Sequence, residues 1–261
     1  MKGSAAPTAS RTAKAVAATV FAAVVLALWL AGSYKLPSFI LPGPGDVAAG
    51  AIEFFTSKRS LGHLLSTLIV IGSSIAISFT AGAALALMAF YLPSTAPFIH
   101  HRLSPFLNSF SGIGWTLLAV IWFGVSRMTV IFSISVVLLP FALINLREGL
   151  KALDGELGEM ALSFGRSAWR RFTLIVVPAL FPFAAATLRI MFGVSWKVAL
   201  TAELFGGSSG LGYLINLSRQ EFDTRTIFTV ILFIIIAVYL ADRLIFLPME
   251  RATMRRFGAR R

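Results

Sequence analysis

Long apolar runs, separated by short polar stretches, set the pattern of this chain. The first extends from Ala15 to Tyr34, twenty residues without a charge, after Lys2, Arg11 and Lys14. From Ser60 to His101 no formally charged side chain occurs, which exceeds what one crossing of a ~30 Å hydrocarbon core requires at about 1.5 Å per residue. The pattern predicts one long helix from about Gly62 to Leu92, ended by Pro93 and a turn leading to His100, His101 and Arg102. A third span is predicted over Leu103–Ser126, interrupted at Ser109-Phe110-Ser111-Gly112, and a fourth over Met128–Leu146. A fifth starts near Phe172, and a sixth covers Thr226–Met249. Between the first two spans, three prolines in Leu36–Gly45 forbid regular helix. From Asp46 to Ser60 the spacing is helical and amphipathic, with Val47, Ile52 and Phe55 set against Asp46, Glu53, Lys58 and Arg59, as in a helix lying at the membrane interface.

The expected fold is therefore all-α: a polytopic membrane protein with six transmembrane helices and an interfacial helix after the first. Residues 1–14 form a basic tail, 15–249 the membrane domain and 250–261 a second basic tail. Composition agrees with this class. Of the 261 residues, 57% are hydrophobic and 13% charged, and the mean hydropathy is +0.83, where soluble domains carry roughly 25% charged residues. A cleaved secretory signal is the competing reading of the first span, but the run is longer than a usual signal core and Ala31-Gly32-Ser33 is a weak cleavage site.

The net charge of +12 does not point to nucleic acid, because the basic residues bracket apolar spans and form no patch interleaved with aromatics. They follow the positive-inside pattern instead. With both termini in the cytoplasm, fifteen Lys and Arg fall in cytoplasmic tails and loops and six on the other side; the remaining two, Arg189 and Lys197, lie within the fifth span. The expected location is the cell inner (plasma) membrane. Zero cysteines exclude disulfides and thiolate chemistry. His63, His100 and His101 lack metal-ligand spacing and read as interfacial residues. No nucleophile arrangement is visible, so neither catalysis nor a cofactor is expected of this chain.

One sizeable polar stretch, about 147–178, falls on the predicted cytoplasmic side and keeps helical apolar spacing. Within it Ala161 allows a close approach, Gly165 permits a bend at low steric cost, and Pro178 opens the next helix where its missing donor does least harm. Glu159-Met160-Ala161, three residues, Gly165, nine residues and Ile175-Val176-Val177-Pro178 resemble the EAA loop of ABC-importer permeases. Glu159, Ala161, Gly165, Ile175 and Pro178 fall in register, while Met160 and Val177 depart from the motif. The resemblance implies a coupling helix that docks on a separate ABC ATPase subunit, which would bind the ATP. It also implies an extracytoplasmic substrate-binding protein and a permease dimer, most simply a homodimer.

More of the chain resembles the nitrate/sulfonate/taurine-type permeases, a group that also includes bicarbonate and some heterocycle importers. The carriers are Leu41-Pro42-Gly43-Pro44, Trp122-Phe123-Gly124, Pro140 with Asn145, Pro178 with Pro182 and Arg189, Trp196, Ala202-Glu203 and Gly210–Ile215. Ser111-Gly112 stands where the group often has Ile-Pro, and Thr187 replaces a frequent glycine.

Arg189 lies fourteen residues beyond Ile175, roughly 21 Å along the helix, and Lys197 follows at i+8 on a neighbouring face. An ionisable group at that depth is expensive unless it faces water or a partner. Two readings stay open. Either Arg189 and Lys197 form the positive lining of a pathway for a small anion, with Trp196 shaping the passage and Glu203 beside its outer end, or Arg189 pairs with a carboxylate such as Asp242 while Lys197 snorkels outward. The Gly206–Gly212 run has neither the preceding strand nor the Gly-Lys-Ser/Thr of a phosphate loop and reads as flexible outer-side backbone. The rival functions are an ATPase-independent secondary transporter or channel, which calls for inverted halves with broken helices, and a membrane enzyme, which calls for clustered His or acidic residues. Neither signature is present.

Overall fold

The computed structural model describes residues 11–151 and 172–249. Nine helical elements follow in order: α1 (Arg11–Lys35), α2 (Pro44–Thr56), α3 (Lys58–Tyr91), α4 (Pro93–Ser109), α5 (Gly112–Phe123), α6 (Arg127–Lys151), α7 (Phe172–Gly206), α8 (Leu211–Gln220) and α9 (Thr224–Met249). No strand occurs among the described residues. Four helices, α3, α6, α7 and α9, are long and apolar enough to cross a membrane. The bent pair α4–α5 makes a fifth if taken as one span, and Thr19–Lys35 is a shorter apolar helix. Those 17 residues reach about 26 Å, just short of a ~30 Å hydrocarbon core.

The third predicted span takes a different form. Its chain turns by 85° between α4 and α5. Phe110 and Ser111 adopt extended backbone there, and the Ser111 hydroxyl caps α5 by accepting from the Gly114 N–H. The cause is local: Ser111 offers the backbone an alternative to continuing the helix, and a new N-terminus forms there. At the far end of α5 Gly124 closes the helix with φ +67°, a conformation open to glycine at little steric cost.

The polar break before α3 falls at Ser57, three residues earlier than predicted. Ser57 ends α2 by donating its N–H to the Glu53 carbonyl, and its hydroxyl accepts from the Ser60 N–H to begin α3. The packed face of α2 also differs from the predicted one. Val47, Gly50 and Phe54 are buried, whereas Ile52 and Phe55 are exposed. Positions 47, 50 and 54 share one helical face at i, i+3 and i+7, and that face meets Thr229 and Phe233 of α9. Apolar residues on the opposite face need no protein partner in lipid.

The core is organised around α3, α6 and α7. On α3 the buried residues include Ser66, Val70, Ser74, Ser78, Gly82 and Ala86, a stripe of mostly small side chains at every fourth position. A Cβ on Gly82 would lie 2.5 Å from the Ala142 Cβ and 3.0 Å from the Leu143 backbone nitrogen. Ser74 and Ser78 donate across the interface to the carbonyls of Ile131 (3.2 Å) and Ser135 (2.9 Å). Small residues and interhelical hydroxyl bonds are how helices associate in lipid, where apolar burial alone gives no preference for a neighbour. α1 attaches near its C-terminal end: the Trp29 indole donates to the Pro42 carbonyl at 3.0 Å and stacks on Phe228.

Candidate functional site

Three local assemblies carry the chemistry of this chain. The first lies where α6 and α7 flank the polar stretch. Glu159, Ala161 and Gly165 fall outside the described residues. Ile175 lies half-buried in a π-helical turn, Phe172–Val176, and regular α-helix begins at Val177 with Pro178 in its first turn. Nearby, a Cβ on Gly149 would come within 2.9 Å of both Phe183 and Leu180, so α6 and α7 touch closely just before the polar stretch and just after it.

The second assembly is a groove of about 730 Å³ between α7 and α9. Arg189, Gly193 and Lys197 line it from α7; Val238, Asp242 and Phe246 line it from α9. The Arg189 guanidinium makes a two-point contact with Asp242, Nε to Oδ1 at 2.7 Å and Nη2 to Oδ2 at 3.1 Å. Paired geometry of this kind fixes orientation as well as charge. Asp242 opens a π-helical turn, Asp242–Phe246, a distortion that often marks functional positions. Lys197 shares the groove and is exposed. From Gly206, at the end of α7, Lys197 is about 14 Å along the helix and Arg189 about 26 Å, so Arg189 stands at the middle of α7 and Lys197 in the half nearer Gly206. Arg189 is thus paired with Asp242, and it lines one groove together with Lys197.

Trp196 and Glu203 do not line that groove. Trp196 is 3% exposed within the main core against Phe192, and its indole N–H finds no partner among the described residues.

Glu203 belongs to the third assembly. It is 1% exposed; its carboxylate accepts from the Gly212 N–H at 2.8 Å and from the Thr67 hydroxyl at 2.8 Å. Thr67 in turn accepts from the Leu211 N–H, His63 Nδ1 accepts from the Gly210 N–H, and the Ser66 and Ser209 hydroxyls meet at 2.8 Å. The glycine run is consequently a tightly tied loop, which corrects the expectation of flexible backbone. Gly210 has φ +115°, and a Cβ there would overlap the Glu203 carboxyl. His63, Ser66 and Thr67, at i, i+3 and i+4 on an apolar helix, were the legible signal of this cluster; only their partner 140 residues away was not.

A bundle of long apolar helices with an ion pair and a lysine in a groove between two of them is the architecture of a multi-pass membrane protein. Comparison with known proteins places it further. The family model "Binding-protein-dependent transport system inner membrane component" matches residues 47–247. The chain belongs to that family, as an ABC-importer permease of the sulfonate/nitrate/taurine type. It is 27% identical over 225 residues to the putative aliphatic sulfonates transport permease protein SsuC of Bacillus subtilis, covering 84% of this chain and 80% of that protein. The riboflavin transport system permease protein RibX of Chloroflexus aurantiacus is 28% identical over 78% of this chain and 77% of its own length. The formylaminopyrimidine transport permease protein ThiX of Halalkalibacterium halodurans is 26% identical, over 84% and 87%. These relatives are transport permeases, and a permease of this family works with an ATPase and a substrate-binding protein.

Proposed function

We propose that this chain crosses the inner membrane six times with both termini in the cytoplasm, pairs with a second copy, and forms the translocation pathway for a small anionic solute. The solute is of the nitrate, sulfonate or taurine kind, handed over by the binding protein, and the chain itself hydrolyses nothing. The observation that carries the solute class is the groove. Its Arg189–Asp242 pair is internally neutralised, so Lys197 leaves it one net positive charge. An uncompensated cation within a low-dielectric wall attracts and concentrates an anion. The names of the relatives range from aliphatic sulfonates to riboflavin and formylaminopyrimidine, and Lys197 is what favours the anion among them. Both protein walls of the groove come from α7 and α9 of one copy, and Arg189 and Asp242 stay more than one-third exposed; a second copy supplies the missing side.

Alternating access follows if ATP-driven closure of the motor subunits pushes the stretch between α6 and α7. Glu159, Ala161, Gly165, Ile175 and Pro178 would form the contact, and the rigid α6–α7 junction at Gly149 would pass the movement on. Alanine and glycine at positions 161 and 165 leave room for the motor's surface to approach.

Two measurements test this. A tagged chain should co-purify with an ATPase and lose it on Gly165→Trp, with the chain still folded; retention of the ATPase rejects the coupling role. For the groove, Arg189→Gln alone should depress both assembly and ATP-driven uptake, because Asp242 is left unpaired. The double variant Arg189→Gln/Asp242→Asn should restore assembly. Full recovery of uptake in the double variant makes the pair purely structural, and sulfonate uptake that falls in Lys197→Gln with assembly intact supports the anion pathway, whereas uptake unchanged by that substitution rejects it. Uptake with no dependence on ATP would favour the ATPase-independent carrier or channel instead.

A further inference from the structure

A second cavity, about 400 Å³, lies where the ends of α3 and α6 meet the start of α4. It shares no residue with the α7–α9 groove. Ala86, Ala89 and Phe90 give it an apolar floor, Arg147 and Lys151 bring its cations, and the His100 imidazole stands beside them. Arg147 and Lys151 stand at i and i+4 on α6, on one helical face. His100 is held by the π-helical turn Ile99–Leu103, whose first residue, Ile99, is fully buried.

Charge around this cavity is one-sided. Glu148 is spent on Lys151, Oε1 to Nζ at 2.9 Å, and no ion pair is made by Arg147 or His100 among the described residues. Arg147 is half-buried, and so is His100, so an anion reaching them would be partly desolvated and held more firmly than at an open surface. The floor, in contrast, offers only aliphatic and aromatic carbon. A hydrated inorganic ion gains nothing from such a floor, whereas an amphiphile does. The cavity also sits at the ends of two helices long and apolar enough to cross a membrane, α3 and α6, where phospholipid head groups would lie, and basic pockets between helices on the cytoplasmic side are suited to anionic lipid.

We propose that this pocket binds an anionic phospholipid, its phosphate on Arg147, Lys151 and His100 and its first methylenes against Ala86, Ala89 and Phe90. The leaflet rests on the topology proposed above; the binding itself does not. Because α6 leads directly from the pocket into the polar stretch, bound lipid fixes the end of the helix from which the coupling movement would be transmitted.

The test uses the intact transporter in mild detergent with phosphatidylglycerol and phosphatidylcholine supplied in equal amounts, and bound lipid counted by native mass spectrometry. The wild type should retain phosphatidylglycerol at least five-fold over phosphatidylcholine. Arg147→Gln/Lys151→Gln should bring that ratio to within two-fold of unity, and Arg147→Lys should keep it. Should the double variant not fold, the exposed Lys151→Gln alone should still halve the ratio. An unchanged ratio in every neutralised variant, or no preference in the wild type, overturns the site. Displacement of the lipid by millimolar inorganic phosphate identifies a free anion as occupant and likewise overturns the lipid assignment. Since the chain has no cysteine, Lys151→Cys labelled by an impermeant maleimide from outside would reverse the proposed leaflet while leaving the pocket itself standing.

Discussion

Glu203 shows what one buried carboxylate does in an apolar bundle. It takes no cation; it gathers the Gly212 N–H and the Thr67 hydroxyl, and through Thr67 the Leu211 N–H. Truncating it strands two buried donors, each worth about 1–3 kcal/mol when left unpaired. Glu203→Ala should therefore lower stability by about 2–4 kcal/mol, and Glu203→Gln, which keeps one acceptor oxygen, by less than half of that. Thermal unfolding in detergent reads both; equal losses would contradict the hydrogen-bonding role. Gly210→Ala should be at least as damaging as Glu203→Ala, because φ +115° and the Glu203 carboxyl together leave a methyl group no place. In the sequence Glu203 stood out as a charge late in an apolar span, but its partner Thr67 lies 136 positions earlier. No local pattern links residues that far apart.

Between helices, the decisive contacts are made by side chains with little to offer in a hydropathy count. Gly82 lets α3 lie directly on Ala142 and Leu143 of α6, and the hydroxyls of Ser74 and Ser78 reach carbonyls of the facing helix. Gly82→Leu should prevent this approach and abolish stable assembly, seen as aggregation on size-exclusion chromatography. Ser78→Ala removes one interhelical bond and should cost only about 0.5–1 kcal/mol; a collapse of the fold on that change would show the hydroxyl to be more than one contact among many. The stripe from Ser66 to Ala86 was legible as a helix and not as an interface, since a serine among leucines reads equally as lipid-facing or buried until a partner helix is in place. The 85° turn between α4 and α5 was legible as an interruption at Ser109–Gly112 but not as an angle, which packing against α6 and α7 sets.

At the scale of the whole molecule, the proposed topology puts the α6–α7 junction and the polar stretch between them at one membrane face and the tied glycine loop at the other. The cysteine-free sequence makes this directly testable. Ser94→Cys, in the first turn of α4, should react with an impermeant maleimide only after the membrane is opened, and Val125→Cys, between α5 and α6, in intact cells. Both positions are exposed, so the opposite labelling pattern would overturn the orientation rather than report burial.

The amino-acid sequence by itself determined the class of this protein: helix in lipid follows from charge-free runs, because no other local structure satisfies the backbone without water. It also carried the family resemblance through residues adjacent in the chain. It placed Arg189 and Lys197 on neighbouring helical faces, since 3.6-residue periodicity is local. Only the tertiary structure decided that Arg189 faces Asp242 across 53 positions, that Trp196 turns into the core, and that His100 joins Arg147 and Lys151 around one cavity. Those outcomes depend on how helices pack, and helix packing in lipid is governed by fits between small residues and scattered hydroxyls that leave almost no trace in hydropathy.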